Sequence, residues 1–148
     1  EGLAKVSSGQ LPVGTVLLSS RAPIGYLALA EIPVSINQGI IAMVCDRDLP
    51  NLYVLHWTSA NMERVIANAN GSTFLEISKR NFRPITAVIP KQDILYRFTQ
   101  IVEPLHQRVV SSLIQIQHLV AVRDSLLPKL ISGELVVTEA ERIVGRCV

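Results

Sequence analysis

No apolar run in this chain approaches the ~18 residues that a membrane-spanning helix needs. The longest, Ile40 to Cys45, has the length of a strand. Cysteine is scarce. Cys45 and Cys147 stand in unrelated contexts without metal-ligand spacing, which excludes a disulfide framework and a zinc module. Cys45 closes an apolar run and is expected to pack as a small hydrophobe. No basic, apolar, small-residue leader is present, so a reducing, cytoplasmic setting is expected. The net charge of +2 is too small to mark a uniformly basic protein.

Catalytic signatures are missing as well. The chain has no phosphate-cradling glycine loop, no H-E-x-x-H and no G-x-S-x-G. Its three histidines, His56, His106 and His118, have no partner at ligand spacing and read as surface or interface residues. The (Asn/Asp/Ser)-Pro-Pro-aromatic segment that methyl transfer to a DNA base would want is absent too. Neither catalysis nor a cofactor is expected.

What is present is apolar supply. Hydrophobic residues make up 49% of the 148 and charged residues 18%, enough for a real core and too apolar for disorder. The first half is punctuated by turn residues and β-rich runs. Thr15 to Leu18 and Tyr26 to Ala30 are strand candidates separated by the Arg21-Ala-Pro-Ile-Gly25 turn. Val34 to Gly39 alternates as a half-buried strand would. Ile40 to Cys45 is apolar throughout, as expected of a central strand covered on both faces. From Pro50 to Asn70 the period becomes helical, with Asp48 as candidate cap, Pro50 in the first turn and Asn70-Gly71 as the stop. Thr73 to Ile77 and Ile85 to Ile89 are further strand candidates. Between them Ser78 is placed to cap a short turn.

After Gln92 the texture changes. Phe98, Val102, Leu105, Val109, Leu113, Ile116, Val120, Arg123, Leu127 and Leu130 are spaced 4, 3, 4, 4, 3, 4, 3, 4 and 3 apart, a coiled-coil-like seam with one stutter. Pro104 predicts a kink or a restart, and Pro128 an end, with Gly133 as a left-handed cap. Roughly forty helical residues at 1.5 Å each outreach a domain of some ninety residues, so the stripe calls for a partner helix. Arg123 on the seam is expected to fix register by pairing with an acid such as Asp124 or Glu134 of that partner. The fold class is therefore α+β, a mixed domain of short strands and helices followed by a long C-terminal helix. The boundaries fall at 1–90, 91–135 and a tail at 136–148.

Two polar constellations stand out. Asn70-Gly-Ser72-Thr73 precedes Lys79-Arg80-Asn-Phe-Arg83, which puts three positive charges within five residues. Hydroxyls, backbone amides and guanidinium groups suit phosphates and base edges. The same residues also suit a glycine-stopped helix and a solvated charged turn, which is the commoner case. Arg21, on the rigid turn, can reach a phosphate or pin the turn through backbone carbonyls. The amides of Ile36-Asn-Gln-Gly39 can pair with adenine or close a local turn.

Taken in order and spacing, GTVLLSSRAPIGYLA, SINQGIIAMV, GSTFLEISKRNFRPI and RDSLLPKLISGE resemble the specificity subunit of type I restriction–modification systems. The resemblance covers residues 10 to 136. It implies the latter part of a target-recognition domain followed by a conserved spacer helix, in a subunit several times longer that scaffolds without catalysis of its own. It further implies double-stranded DNA, methyltransferase (modification) subunits and a translocating nuclease (restriction) subunit as partners. A half-subunit of this kind is expected to form a homodimer through its long helix. On that resemblance Arg21, Ser72, Thr73, Lys79, Arg80 and Arg83 become the DNA-facing candidates. The alternative is an assembly module, or a truncated remnant that has lost specific DNA binding.

Overall fold

The computed structural model describes residues 9–71 and 75–134. Strand β1 (Val16–Ser19) lies between β2 (Leu27–Leu29) and β3 (Ile40–Met43), antiparallel to both. Val16 faces Leu29 and Met43, and Leu18 faces Leu27 and Ile41. The alternation that makes β1 a strand also sets its sides: Val16 and Leu18 are fully buried, while Leu17 and Ser19 are half-buried. Leu18 joins Ile41, Val65 and Ile77 in the core, with Ile24, Met62, Phe82 and Ile85 packed around them.

Several expectations give way here. Ile40 to Cys45 is not central: among the described residues β3 pairs only with β1 and forms one edge of the sheet. Its apolar run instead serves packing against helices. Val34 makes only a single bridge with Leu11. In the described part of the 73–77 candidate, Glu76 makes isolated bridges to Asn70 and Arg21 and no strand forms. Ile85 to Ile89 is not a strand either, although Ile85 packs on the core. Both segments have β-prone residues, but the main chain at Glu76 and Ile77 is spent on loop residues Asn70 and Ser20.

The helical stretch after Pro50 is two helices, α1 (Asn51–Ala60) and α2 (Met62–Ala67). Asn61 sits between them at φ −106° and ψ 19°, and its Nδ2 donates to the Trp57 carbonyl at 2.8 Å. A short polar side chain that binds the preceding turn competes with the helix ladder, and the break falls there. Pro50, not Asp48, occupies the cap position, and Asn68, not Asn70, closes α2. Ser78 does cap α3 (Lys79–Phe82), accepting from the Asn81 amide at 3.2 Å.

Helix α4 runs Gln92–Ile131 and contains both Pro104 and Pro128. Pro104 does not restart the helix, and the end expected at Pro128 comes at Ile131. A proline removes one donor, and exposed helix carbonyls can bond water instead. The Pro128 carbonyl accepts from Ser132 N at 2.9 Å, and Gly133 adopts φ 74°, the left-handed stop expected of it.

The chain divides into two compact units, Glu1–Glu103 and Pro104–Val148, so the first turns of α4 belong with the sheet. There Leu95 is buried, and Phe98 meets Tyr53 and His56 edge-to-face at 6.0 and 6.1 Å. In the second unit the seam is open to solvent: Leu105 is 61% exposed and Leu113 54%. Among the described residues no helix is long and apolar enough to cross a membrane.

Cys45 follows β3, half-buried, its Sγ donating to the Met43 carbonyl at 3.6 Å. Burial, aided by the Asp46 charge, pushes its thiol pKa up. Two outcomes are expected. Leu18→Ala destabilises the fold by about 2–5 kcal/mol in urea titration, because it opens a cavity in the fully packed core. Peptide mapping after iodoacetamide treatment at pH 7.5 finds Cys45 alkylated more slowly than a free cysteine, because less of it is thiolate.

Candidate nucleic-acid interface

One end of the sheet gathers the polar loops. It lies where β1 finishes, β2 begins and β3 begins. Ser20, the residue after β1, donates its amide to the Gly39 carbonyl at 2.8 Å and accepts from the Ile77 amide at 2.9 Å. Its side-chain hydroxyl is buried and has no hydrogen-bond partner among the described residues, so the main chain holds this junction. Three separated stretches are thereby joined: the turn after β1, the 36–39 turn and the segment leading into α3.

Arg21 stands at the centre. It makes an antiparallel bridge with Glu76, and its Nη1 lies 4.0 Å from Glu76 Oε2. Its side chain runs past Gly39 so closely that a Cβ there would come 3.3 Å from Arg21 Nε and 3.2 Å from Asn37 Oδ1. The Arg21 side chain thus packs along the 36–39 turn. The guanidinium nonetheless remains accessible, its side chain 41% exposed. Asn37 takes the local role foreseen for the turn amides: its Oδ1 accepts from the Gly39 amide at 2.9 Å. Gln38 stays exposed on the same turn.

Asn70 and Glu76 exchange two main-chain hydrogen bonds, at 2.9 and 2.8 Å. Ser72 and Thr73, the hydroxyl candidates, fall between them in sequence and lie outside the described residues. Beyond Ile77, Ser78 caps α3, and Asn81 Nδ2 donates to the Asn68 carbonyl at 3.1 Å, tying α3 to the end of α2. Phe82 turns inward onto the core. Lys79, Arg80 and Arg83 remain exposed. Arg83 also borders an apolar cavity of about 180 Å³ with Tyr53, Trp57 and Phe82. Arg21 and the start of α3 thus reach one end of the sheet through Ser20 and Ile77.

Of the helix candidates, Phe98 is taken up by α1 and Val102 is half-buried. Leu105, Val109, Leu113, Ile116, Val120, Leu127 and Leu130 form an exposed apolar face. Leu119 (67% exposed) and Leu126 widen it beyond the seam. Arg123 pairs with its own neighbour Asp124, Nε to Oδ1 at 2.8 Å. Glu76 and Leu95 were missed by sequence reasoning. Glu76 carried a signal, as the only acid among residues 65–91 against Lys79, Arg80, Arg83 and Lys91.

Residues 1–113 match the model of the type I restriction modification DNA specificity domain. The chain belongs to that family. Among its relatives, the HindI type I restriction enzyme specificity subunit of Haemophilus influenzae is 24% identical over 132 residues, 87% of this chain and 29% of that protein. The MjaIX type I restriction enzyme specificity subunit of Methanocaldococcus jannaschii is 38% identical over 80 residues, 53% of this chain and 18% of that protein. The chain therefore spans less than a third of the length of these curated relatives. The matched region contains the whole loop-bearing end of the sheet, all of α3 and the first turns of α4.

Proposed function

We propose that this chain reads DNA and acts as a scaffold in a type I restriction–modification system, as part of a specificity subunit or as a half-subunit. The observation that carries this reading is the end of the sheet where Arg21, the 36–39 turn and the basic α3 are joined through Ser20 and Ile77, within the family-matched residues. Arg21, Lys79, Arg80 and Arg83, together with Ser72 and Thr73, contact the duplex, chiefly at its phosphates. Residues up to about 90 make up part of a target-recognition domain. The rest of α4 is the spacer that packs against a partner helix. The chain itself is non-catalytic: methyltransferase subunits modify the DNA, a translocating nuclease subunit cuts it, and the assembly works in the cytoplasm.

A second reading rests on a different observation, the exposed apolar face of α4. In it the chain is an assembly module that homodimerises or docks other subunits through that face, without specific DNA contact.

Two experiments test these readings, and the first separates them. Under the first, affinity for duplex DNA falls steeply with salt, and Lys79→Ala/Arg80→Ala/Arg83→Ala flattens the log–log slope by about 2.7, at ~0.9 per phosphate contact. Binding indistinguishable from the parent's would remove α3 from the interface. Light scattering at micromolar concentration should report a dimer, which Leu113→Glu converts to monomer by burying an unpaired charge on the seam. A parent chain that is strictly monomeric contradicts the pairing of α4.

A further inference from the structure

Glu76 is out of place in the proposed interface. Between Val65 and Lys91 four basic residues face a single acid, and that acid lies beside Arg21. A pair at 4.0 Å with both side chains around half exposed adds little to stability, so Arg21 is not locked by it. The backbone of Glu76 is held independently, through Asn70 on one side and Ile77 to Ser20 on the other. Its carboxylate is therefore delivered to Arg21 by main-chain structure and does not position itself. Gly39 lies close against the Arg21 side chain on another side. An anion arriving from solvent would meet Arg21 where the carboxylate now sits.

We propose that the Glu76 carboxylate substitutes internally for a DNA phosphate, occupying Arg21 in the unbound protein and yielding it to the duplex backbone on binding. This rests on the DNA-binding reading of the same end of the sheet. Glu76 acts as a threshold. A duplex that engages only loosely competes with a resident anion for Arg21, whereas one seated on α3 and the 36–39 turn displaces it.

The test uses the full 148-residue chain and a short duplex. Glu76→Gln keeps size and hydrogen-bonding shape but removes the competing charge. It should tighten binding by roughly threefold, the scale of a half-exposed ion pair, with the salt slope little changed because the same phosphates are contacted. In an Arg21→Ala background the same substitution should lose most of that gain. Unchanged affinity, or an equal gain with and without Arg21, would overturn the proposal. A second readout needs no substitution: the Arg21 Nε–Hε resonance of the parent shifts as duplex is added, and a resonance that stays put contradicts the exchange. Should the parent not bind duplex at all, the DNA-binding reading itself fails, and that outcome is distinct from a parent that binds and a Glu76 that does not matter.

Discussion

The burial of β1 is the constraint on which the rest of the first unit depends. Val16 and Leu18 can be dry only if strands lie on both sides of β1 and helical residues close over it. That requirement brings β2 and β3 alongside and Val65 of α2 above, and it fixes where β1 stops. Ser20 follows at once, with its amide and carbonyl pointing to opposite neighbours. The polar end of the sheet is thus a consequence of where the apolar alternation ends. Arg21, Gly39 and Ile77 meet because one short strand sets the ladder to which all three attach.

Helix α4 answers to the same rule in two different ways. Over its first turns the apolar positions find cover, Leu95 buried and Phe98 against the rings of Tyr53 and His56. Beyond Glu103 the same spacing continues without cover, and side chains from Leu105 to Leu130 face solvent. An apolar face of this extent is rarely left exposed. The arc including Leu119 and Leu126 is broader than a strict two-residue seam, closer to the face a helix presents inside a bundle. Tyr53 has a double part here, since its hydroxyl also donates to the Val88 carbonyl at 2.6 Å and tethers the segment after α3.

The sequence made some of this legible and hid the rest for physical reasons. The α+β class, the long helix and the Ser78 cap follow from periodicity and from one hydroxyl at the right distance. The rank of β3 in the sheet did not, because an apolar run looks the same on an edge packed by helices as in the centre. Ile85 to Ile89 has strand composition, but strands exist only in pairs, and pairing is not a local property. Asn61 could have been suspected as a break, given its short amide in mid-helix. For the candidate site, the basic run at Lys79 to Arg83 was visible as composition. Its link to Arg21 was not, because it runs through main-chain bonds of Ser20 and Ile77 that no side-chain pattern encodes. The family resemblance brought Arg21 and α3 onto one list; the backbone at Ser20 gives the physical reason they belong together.

The central claim is that three loops, far apart in sequence, form one DNA-facing end. Hydrogen–deuterium exchange of the chain with and without duplex DNA tests it most directly. The account predicts that DNA slows exchange jointly in residues 20–26, 36–40 and 76–83, while the exposed length of α4 exchanges unchanged. Protection confined to α4, or to only one of those loops, would contradict it.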